Sequence, residues 1–408
     1  MSNAKINIIL IPAILMVTAV CGQVTLTKTS FKGREAYALQ NDNIRITMLT
    51  GGGYIGELNL LSLDQKESIN PLFTPHYETI DPHDYDTEKH GNLYGTGVNA
   101  KLMAGYMGHY ICFPYFGRPN SDFEEESGSG THGEAYTVKY EVEKELKTES
   151  AIVRASAILP LTKYSINRTI TLLQGQSVVL VEEDIENLEN FDRPYQWVQH
   201  VTFGKPFVEY GKTFVDAPVS RIAFNQDEND PNSQTVSWPF VRTENGDEIN
   251  AGVFSADRGE GGYRAWFIEP EEKYTWFTMY NKDLKLLVGY VFEKDGNPWI
   301  GDWMENQRDQ KIPRNGKVVA WGLEVGTTPF GSGIRRVIDR GPIYNTETYD
   351  WVGAKEKKKQ AYMIFLLEID KSFKGVKSLK LEKGNIILTE KETEMETRIA
   401  HGFSFLKQ

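Results

Sequence analysis

The residues with the clearest capacity for chemistry lie in segment 129–136, which reads Ser-Gly-Thr-His-Gly-Glu-Ala-Tyr. This segment places His132 and Glu134 two residues apart. Glycines flank His132, so the backbone can bend sharply and another molecule can come close. The alternating residues that follow, as far as residue 145, predict a half-exposed strand. A histidine at the edge of a strand can bind a hydroxyl group or transfer a proton near neutral pH.

Two more residues of this kind lie far along the chain. His200 belongs to segment 195–203, where strand alternation places it on the same face as Thr202 and opposite Gln199. Glu324 lies in the apolar segment 318–325. Burial of a single carboxylate is costly without a partner and tends to raise its pKa, and a carboxylate in that condition can act as a base.

Each of these residues also has a structural interpretation. A single histidine in a strand is more often a satisfied structural residue than a catalyst, and a single glutamate in a strand can point to water. Convergence of His132, His200 and Glu324 in one concave, aromatic-lined pocket would decide between the two interpretations.

The elements that would position these residues are strands. Short alternating segments joined by short connections recur from residue 24 onward and favour antiparallel pairing. We find no long helical period, no fixed-period repeat and no alternation of strands with helices. The sequence therefore predicts an all-β protein, a single large antiparallel β-sandwich over residues 23–408.

Composition narrows the class of partner. The chain has 408 residues and a net charge of −11, and 12% of its residues are aromatic. Aromatic side chains fill β-sandwich cores and also stack on sugar rings. The densest basic cluster, residues 355–359, is typical of a solvated turn, so we expect no nucleic-acid partner.

The first 22 residues resemble an export signal. Lys5 precedes a mostly apolar stretch from residue 6 to residue 20, and Pro12 argues against a stable spanning helix. Cleavage near Gly22 would give an exported, periplasmic protein with no membrane span. Lipidation at Cys21 is an alternative, although the residues before it match that signal poorly. After cleavage only Cys112 remains, so no intrachain disulfide is expected.

Several short motifs occur in an order that is typical of one family. They are Gly108-His-Tyr-Ile-Cys-Phe-Pro-Tyr-Phe-Gly-Arg-Pro119, His132-Gly-Glu-Ala135, Val181-Glu-Glu-Asp-Ile-Glu-Asn187, Asp192-Arg-Pro194 with His200, and Gly322-Leu-Glu324. Together they resemble the galactose mutarotase (aldose 1-epimerase) superfamily, in particular its divergent, hexose-6-phosphate-mutarotase-like members. The resemblance covers roughly residues 43–329 and implies the large sandwich of that family.

The resemblance also implies roles for individual residues. Glu324 would take the proton of the anomeric hydroxyl, and His200 would protonate the ring oxygen of the sugar. His132 would bind hydroxyl groups or share the acid role. Substrate-binding candidates are Arg118, Glu134 and Trp266. The family chemistry needs no cofactor or metal, and its partner is a mono- or oligosaccharide.

The sequence departs from the galactose enzymes at three points. Pro119 follows Gly117-Arg118 where an Asn-Arg pair is usual, Glu134 replaces the second glycine of a His-Gly-Gly step, and residues 201–204 replace a Tyr-Phe-Asn-Leu motif. These changes put galactose in doubt as the substrate.

Two further segments carry polar clusters. Segment 70–97 contains His76, His83 and His90 at seven-residue intervals among acidic residues, which would suit a divalent metal or a lid over the sugar site; we favour the lid. Segment 300–305 contains Asp302, Trp303 and Glu305, which could line a sugar groove, although we favour a turn with a buried tryptophan.

Two other functions compete with an epimerase. The same sandwich could bind carbohydrate without converting it, which the aromatic content and the altered motifs suggest. A related sandwich could instead cleave acidic polysaccharide by proton abstraction and elimination, although no ordered motif indicates that chemistry.

Overall fold

The computed structural model describes residues 23–61, 68–120, 124–125, 128–223, 234–235, 238–242 and 246–404. The expected export signal, with Cys21, lies outside the described residues. Strands account for 50% of the structure and helices for 8%, which confirms the predicted all-β class.

The strands are numbered in chain order. The first thirteen are β1 (Thr25–Phe31), β2 (Arg34–Gln40), β3 (Ile44–Leu49), β4 (Ile55–Leu60), β5 (His109–Cys112), β6 (Glu141–Leu146), β7 (Ser150–Leu159), β8 (Tyr164–Leu173), β9 (Val178–Asn187), β10 (Arg193–Tyr195), β11 (Val198–Gly204), β12 (Thr213–Asp216) and β13 (Val219–Ala223). The others are β14 (Gln234–Thr235), β15 (Phe240–Arg242), β16 (Glu248–Asn250), β17 (Glu260–Ile268), β18 (Tyr274–Asn281), β19 (Leu286–Glu293), β20 (Trp299–Asn306), β21 (Val319–Gly326), β22 (Asp350–Val352), β23 (Lys357–Glu368), β24 (Val376–Glu382), β25 (Asn385–Glu390) and β26 (Glu396–Ala400).

Two large antiparallel sheets form the sandwich. One has eleven described strands in the order β1-β2-β3-β4-β5-β11-β21-β20-β17-β13-β14. The other has eight in the order β12-β18-β19-β23-β9-β8-β7-β6. The smaller sheets are β10-β22, β15-β16 and β24-β25-β26.

Alternating side chains create the core between the two large sheets. In β7, Val153, Ala155 and Leu159 are buried while their neighbours Arg154 and Ile158 are exposed. Strand β8 repeats the pattern in register, with Ser150 opposite Leu173 at one end of the pair. Because successive side chains point to opposite faces, one face of β7 joins the core and the other meets water.

The middle of the eleven-stranded sheet is buried on both faces. All seven residues of β11 and all eight of β21 are buried. On their outer side lies α2 (Ala100–Gly105), which packs in turn against a 3₁₀ turn at Pro82–Asp84 and α1 (Thr87–Tyr94). Leu102, Tyr106 and Met107 pack there against Tyr110 and Val198 in a second apolar cluster. The helices therefore form a roof over β5, β11 and β21.

The outer face of the eight-stranded sheet is also covered at β9, β19 and β23. Val178, Met363 and Phe365 of that sheet pack against Leu379 and Leu388 of the C-terminal three-stranded sheet. Further helical elements among the described residues include a 3₁₀ turn at Ala135–Thr137 and α3 (Ile334–Arg340). No helix among the residues described combines the length and apolar character needed to cross a membrane.

A buried charge network joins the two large sheets directly behind β11. Arg168 of β8 and Glu183 of β9 form an ion pair at 2.7 Å, and both side chains are 0% exposed. Gln199 of β11 donates from Nε2 to Glu183 at 2.6 Å, and its Oε1 lies 2.8 Å from His109 Nε2. Tyr362 of β23 donates to Glu183 at 3.2 Å. Hydrogen bonds of this kind offset the cost of removing a buried ion pair from water.

We expect the stability of the protein to fall as pH drops below about 6.5. Burial, with a smaller effect of Arg168, holds the pKa of His109 well below its ordinary value. In the unfolded chain the imidazole protonates as pH falls, whereas in the folded chain it stays neutral, so proton uptake favours unfolding. This single group contributes a slope of up to about 1.4 kcal/mol per pH unit. Urea denaturation of the wild type and of His109→Gln between pH 5 and 8 measures it; an equal slope in both would contradict the assignment.

Candidate active site

A row of four residues crosses the centre of the eleven-stranded sheet. Tyr110 of β5 lies opposite His200 of β11, which lies opposite Glu324 of β21, which lies opposite Gly301 of β20. Directly opposed residues share a face of the sheet. The register therefore brings a histidine and a glutamate, 124 positions apart in the chain, into contact.

His200 and Glu324 form the centre of this row. His200 Nε2 lies 2.8 Å from Glu324 Oε1, and the two side chains are only 5% and 4% exposed. His200 Nδ1 lies 3.1 Å from the Thr202 hydroxyl, which lies 3.0 Å from the hydroxyl of Tyr106. Both ring nitrogens are thus engaged, which fixes the orientation of the imidazole. Glu324 Oε2 is buried and has no hydrogen-bond partner among the described residues.

Aromatic rings and a glycine shape the space around this pair. Tyr110 stacks on the His200 ring, with ring centres 4.6 Å apart. A Cβ atom at Gly301 would lie 2.7 Å from Glu324 Oε2 and 2.3 Å from the Tyr263 hydroxyl, so only glycine fits there. Tyr263 donates to the carbonyl of Pro329 at 2.6 Å. Burial and the nearby Glu324 raise the pKa of Tyr263 well above its ordinary value, which keeps it protonated.

His132 approaches the pair from a separate loop. Its φ of +68° is uncommon for a residue with a side chain and turns the ring toward the cavity. The backbone N–H of Gly117 donates to His132 Nδ1 at 3.1 Å, and the ring stacks on Phe116. Burial and the neighbouring His200 hold its pKa well below the ordinary value. His132 is therefore neutral with its proton on Nε2, and its ring centre lies 5.4 Å from that of His200.

These side chains line one cavity of about 460 Å³. Its wall includes His132, His200, Glu324 and the half-buried Trp303. Arg314 also lines the cavity, and its guanidinium lies 5.3 Å from the centre of the Trp303 ring and 5.5 Å from that of Tyr106, within reach of a cation–π contact with both. The volume lies within the range of small-molecule sites.

The three residues proposed from the sequence as catalytic thus meet in this cavity. Of the three substrate-binding candidates, only Arg118 lines it, and Arg118 is exposed. Glu134 is buried away from the lining and accepts hydrogen bonds from the backbone of Leu161 and from both the backbone and hydroxyl of Thr162. Trp266 is 0% exposed and packs against Trp238 in the main core. The contacts of Glu134 and Trp266 are those of residues that hold the fold.

Other cavity residues were not proposed from the sequence. Tyr106 and Tyr110 come from the roof and from β5, and Arg314 comes from the loop after β20. The prediction of a turn at 300–305 is wrong, since these residues lie within strand β20. Asp302 is buried there by Arg264 and Trp321, while Trp303 faces the cavity. The available signal was Trp303, two residues after Gly301 and therefore on the same face of a strand.

The histidine-rich segment forms part of the roof. Only His83 of its three histidines joins a described group with metal-ligand spacing, together with Asp81 and Asp84. Asp81 already accepts from Arg34 at 2.6 Å, and His90 Nδ1 accepts from the backbone of Asp86. The cavity lining begins just after this segment, at Asn99.

Several solved structures share this architecture. No protein-family model matches the sequence, and a search of curated proteins finds no match. Among solved structures, the chain is similar to a candidate aldose 1-epimerase from Klebsiella pneumoniae, with a TM-score of 0.60, 15% identity and coverage of 86% of this chain and 84% of that one. It is similar to a galactose mutarotase-like protein from Clostridium acetobutylicum, with a TM-score of 0.57, 13% identity and coverage of 85% and 99%.

The chain has the galactose mutarotase-like fold. A candidate mutarotase from Salmonella typhimurium supports the same assignment, with a TM-score of 0.53, 9% identity and coverage of 84% of this chain and 94% of that one. The galactose mutarotase-like fold confirms the large antiparallel sandwich predicted from the ordered motifs. Its central strands, β11 and β21, are the ones that carry His200 and Glu324.

Proposed function

We propose that this protein interconverts the anomers of a sugar by general acid–base catalysis. The observation that carries the proposal is the direct contact between His200 and Glu324 in an aromatic-lined cavity, with neutral His132 beside them. An acid and a base in adjacent positions suit a reaction in which one proton is removed and another is delivered on the same molecule.

The reaction begins with a closed sugar ring. Glu324 accepts the proton of the anomeric hydroxyl, His200 delivers a proton from Nε2 to the ring oxygen, and the bond between C1 and the ring oxygen breaks. The aldehyde then rotates about C1–C2. Reclosure on the other face returns one proton from Glu324 to the oxygen on C1 and the other from the ring oxygen to His200, so both groups regain their starting state.

Close placement of the two groups suits this chemistry. Both oxygens that gain or lose a proton are bonded to C1, so neighbouring side chains can each reach one of them. In this structure His200 and Glu324 bind each other at 2.8 Å. A bound hemiacetal would replace that contact with one hydrogen bond to each oxygen.

Two more residues have surfaces suited to holding the sugar. His132 uses Nδ1 to accept from Gly117, so its Nε2–H is free to donate to a hydroxyl group. Trp303 is half-buried and lines the cavity, which suits stacking on the apolar face of a pyranose ring. We further propose, from residues 1–22, that the protein acts after export.

Anomer exchange can be followed directly by NMR exchange spectroscopy or by the decay of optical rotation. We expect catalytic amounts of the wild-type protein to accelerate exchange for at least one sugar in a panel of neutral and acidic aldoses. Calorimetric binding without acceleration for every sugar would overturn catalysis and favour a carbohydrate-binding protein. Absence of both binding and acceleration would exclude a sugar site.

A further inference from the structure

The cavity continues outward into a second hollow of about 500 Å³. The two share Asn99, Arg118, Asp309 and Arg314 in their walls, so a ligand larger than one ring could extend from one into the other. The outer hollow is bounded by the loop that joins β20 to β21, which follows Asn306 and ends before Val319. This loop contributes Arg308 and Lys311.

The acidic residues of the outer hollow are already engaged. Glu305 Oε1 accepts from the backbone N–H groups of Arg308 and Asp309 at 2.7 and 2.9 Å. Asp309 Oδ1 accepts from the backbone of Lys311 at 3.0 Å. The remaining oxygens lie 3.9 and 3.8 Å from Arg314 Nη1. Arg314 therefore offsets one of the two negative charges, and the loop backbone donates hydrogen bonds to both carboxylates.

Three other cationic side chains in the same hollow have no carboxylate partner among the described residues. They are Arg118, Arg308 and Lys311, and all three are exposed. Arg308 uses one nitrogen to donate to the carbonyl of Gly261 at 3.3 Å, which orients its guanidinium and leaves other N–H groups available. The hollow thus carries an excess of positive charge.

This positive patch lies on a protein whose net charge is negative. The whole chain has a net charge of −11, so its general surface repels anions. Arginine presents a planar set of donors that matches carboxylate, sulfate and phosphate groups, and lysine adds a point charge. Such a local patch next to a sugar-sized cavity would select anionic ligands.

We propose that the outer hollow binds an anionic group carried by the sugar, so that the substrate is an acidic saccharide. Arg118, Arg308 and Lys311 hold the anion while the reacting ring lies at His200 and Glu324. This inference rests on the proposed function and names its substrate class. A carboxylate, a sulfate ester and a phosphate ester share the required chemistry.

Calorimetry with paired anionic and neutral saccharides tests the proposal and distinguishes a carboxylate, a sulfate ester and a phosphate ester as the anionic group. The probes are digalacturonate, glucose 6-sulfate and glucose 6-phosphate, with neutral galactobiose and glucose as references. We expect at least one anionic probe to bind about tenfold more tightly than its neutral reference at low salt, and the pair that shows it identifies the group. High salt should reduce the difference, because the cations are exposed.

The variant Arg308→Gln/Lys311→Gln should lose most of this preference and keep its affinity for the neutral references. Lys205→Gln/Lys371→Gln removes the same charge from exposed lysines outside both hollows and should behave as wild type. Equal binding of all anionic and neutral probes, or a preference that survives in Arg308→Gln/Lys311→Gln, would overturn the inference.

Anomer exchange is measured on the same samples and keeps the two proposals separate. Exchange of neutral sugars without an anionic preference would retain the proposed function and reject the substrate class. An anionic preference in binding without exchange would reject catalysis and retain the anion site. Release of an unsaturated product from digalacturonate, seen by its absorbance, would also reject the epimerase.

Discussion

Replacement of Glu324 with glutamine should lower kcat/KM for anomer exchange by about 10²- to 10⁴-fold, the usual contribution of a positioned acid or base. The amide keeps the shape of the side chain. Its oxygen can still accept from His200 Nε2, as the carboxylate does at 2.8 Å, but without a negative charge. Glutamine cannot accept and return the proton of the anomeric hydroxyl. We therefore expect kcat to fall far more than KM rises, as NMR exchange at saturating sugar would show.

The control is a strand glutamate remote from the cavity. Glu186 of β9 is half-buried and pairs with Lys357 at 3.4 Å, so Glu186→Gln removes a comparable charge without touching the site. It should retain wild-type activity. Unchanged activity in Glu324→Gln, with an unchanged circular dichroism spectrum, would refute the assigned role. His200→Asn should produce a loss of similar size.

Replacement of Arg168 with methionine should lower the free energy of unfolding by about 3–5 kcal/mol, because it leaves a buried carboxylate without its cation. Arg168 also donates to the Gly53 carbonyl at 2.5 Å and to Gln199 at 3.1 Å, so its loss disturbs both sheets. Urea denaturation followed by tryptophan fluorescence measures the effect.

Arg154→Met provides the matched control. Arg154 of β7 pairs with Glu145 at 2.8 Å on the surface of the same sheet, where its side chain is 45% exposed. Exposed pairs contribute about 0–1 kcal/mol, so this variant should be nearly as stable as wild type. In Arg168→Met/Glu183→Met the unpaired charge is gone, and part of the loss should be recovered. A single Arg168→Met variant as stable as Arg154→Met would contradict the network.

The sequence pattern was sufficient to predict a strand where one face of that strand meets water. Strand β8, at Tyr164–Leu173, is one of the alternating segments, because its buried and half-buried residues alternate throughout. The prediction was wrong for 137–140, where a 3₁₀ turn at Ala135–Thr137 precedes a strand that begins at Glu141. Strand β20 was missed because it is buried almost throughout and contains Gly301 and Asp302, so it has no clear alternation.

The site was only partly accessible from sequence for a different reason. Its ordered motifs pointed to His132, His200 and Glu324, which the fold brings into one cavity. Which neighbours they would have depends on strand register, and register is set by pairing across the sheet. The position of Tyr110 opposite His200 therefore became visible only in the structure. In the same way, Glu134 is adjacent to the histidine loop in sequence but binds the turn at Thr162.

The β20–β21 connection has a consequence for evolution and for protein engineering. Its loop carries Arg308 and Lys311, whereas the proposed reacting groups, Glu324 and His200, lie in β21 and β11. Hairpin loops tolerate changes of length and composition while paired strands keep their alignment. Descendants of this chain, or designed hybrids, could thus exchange one surface loop and change their ligand preference without altering the strands that carry His200 and Glu324.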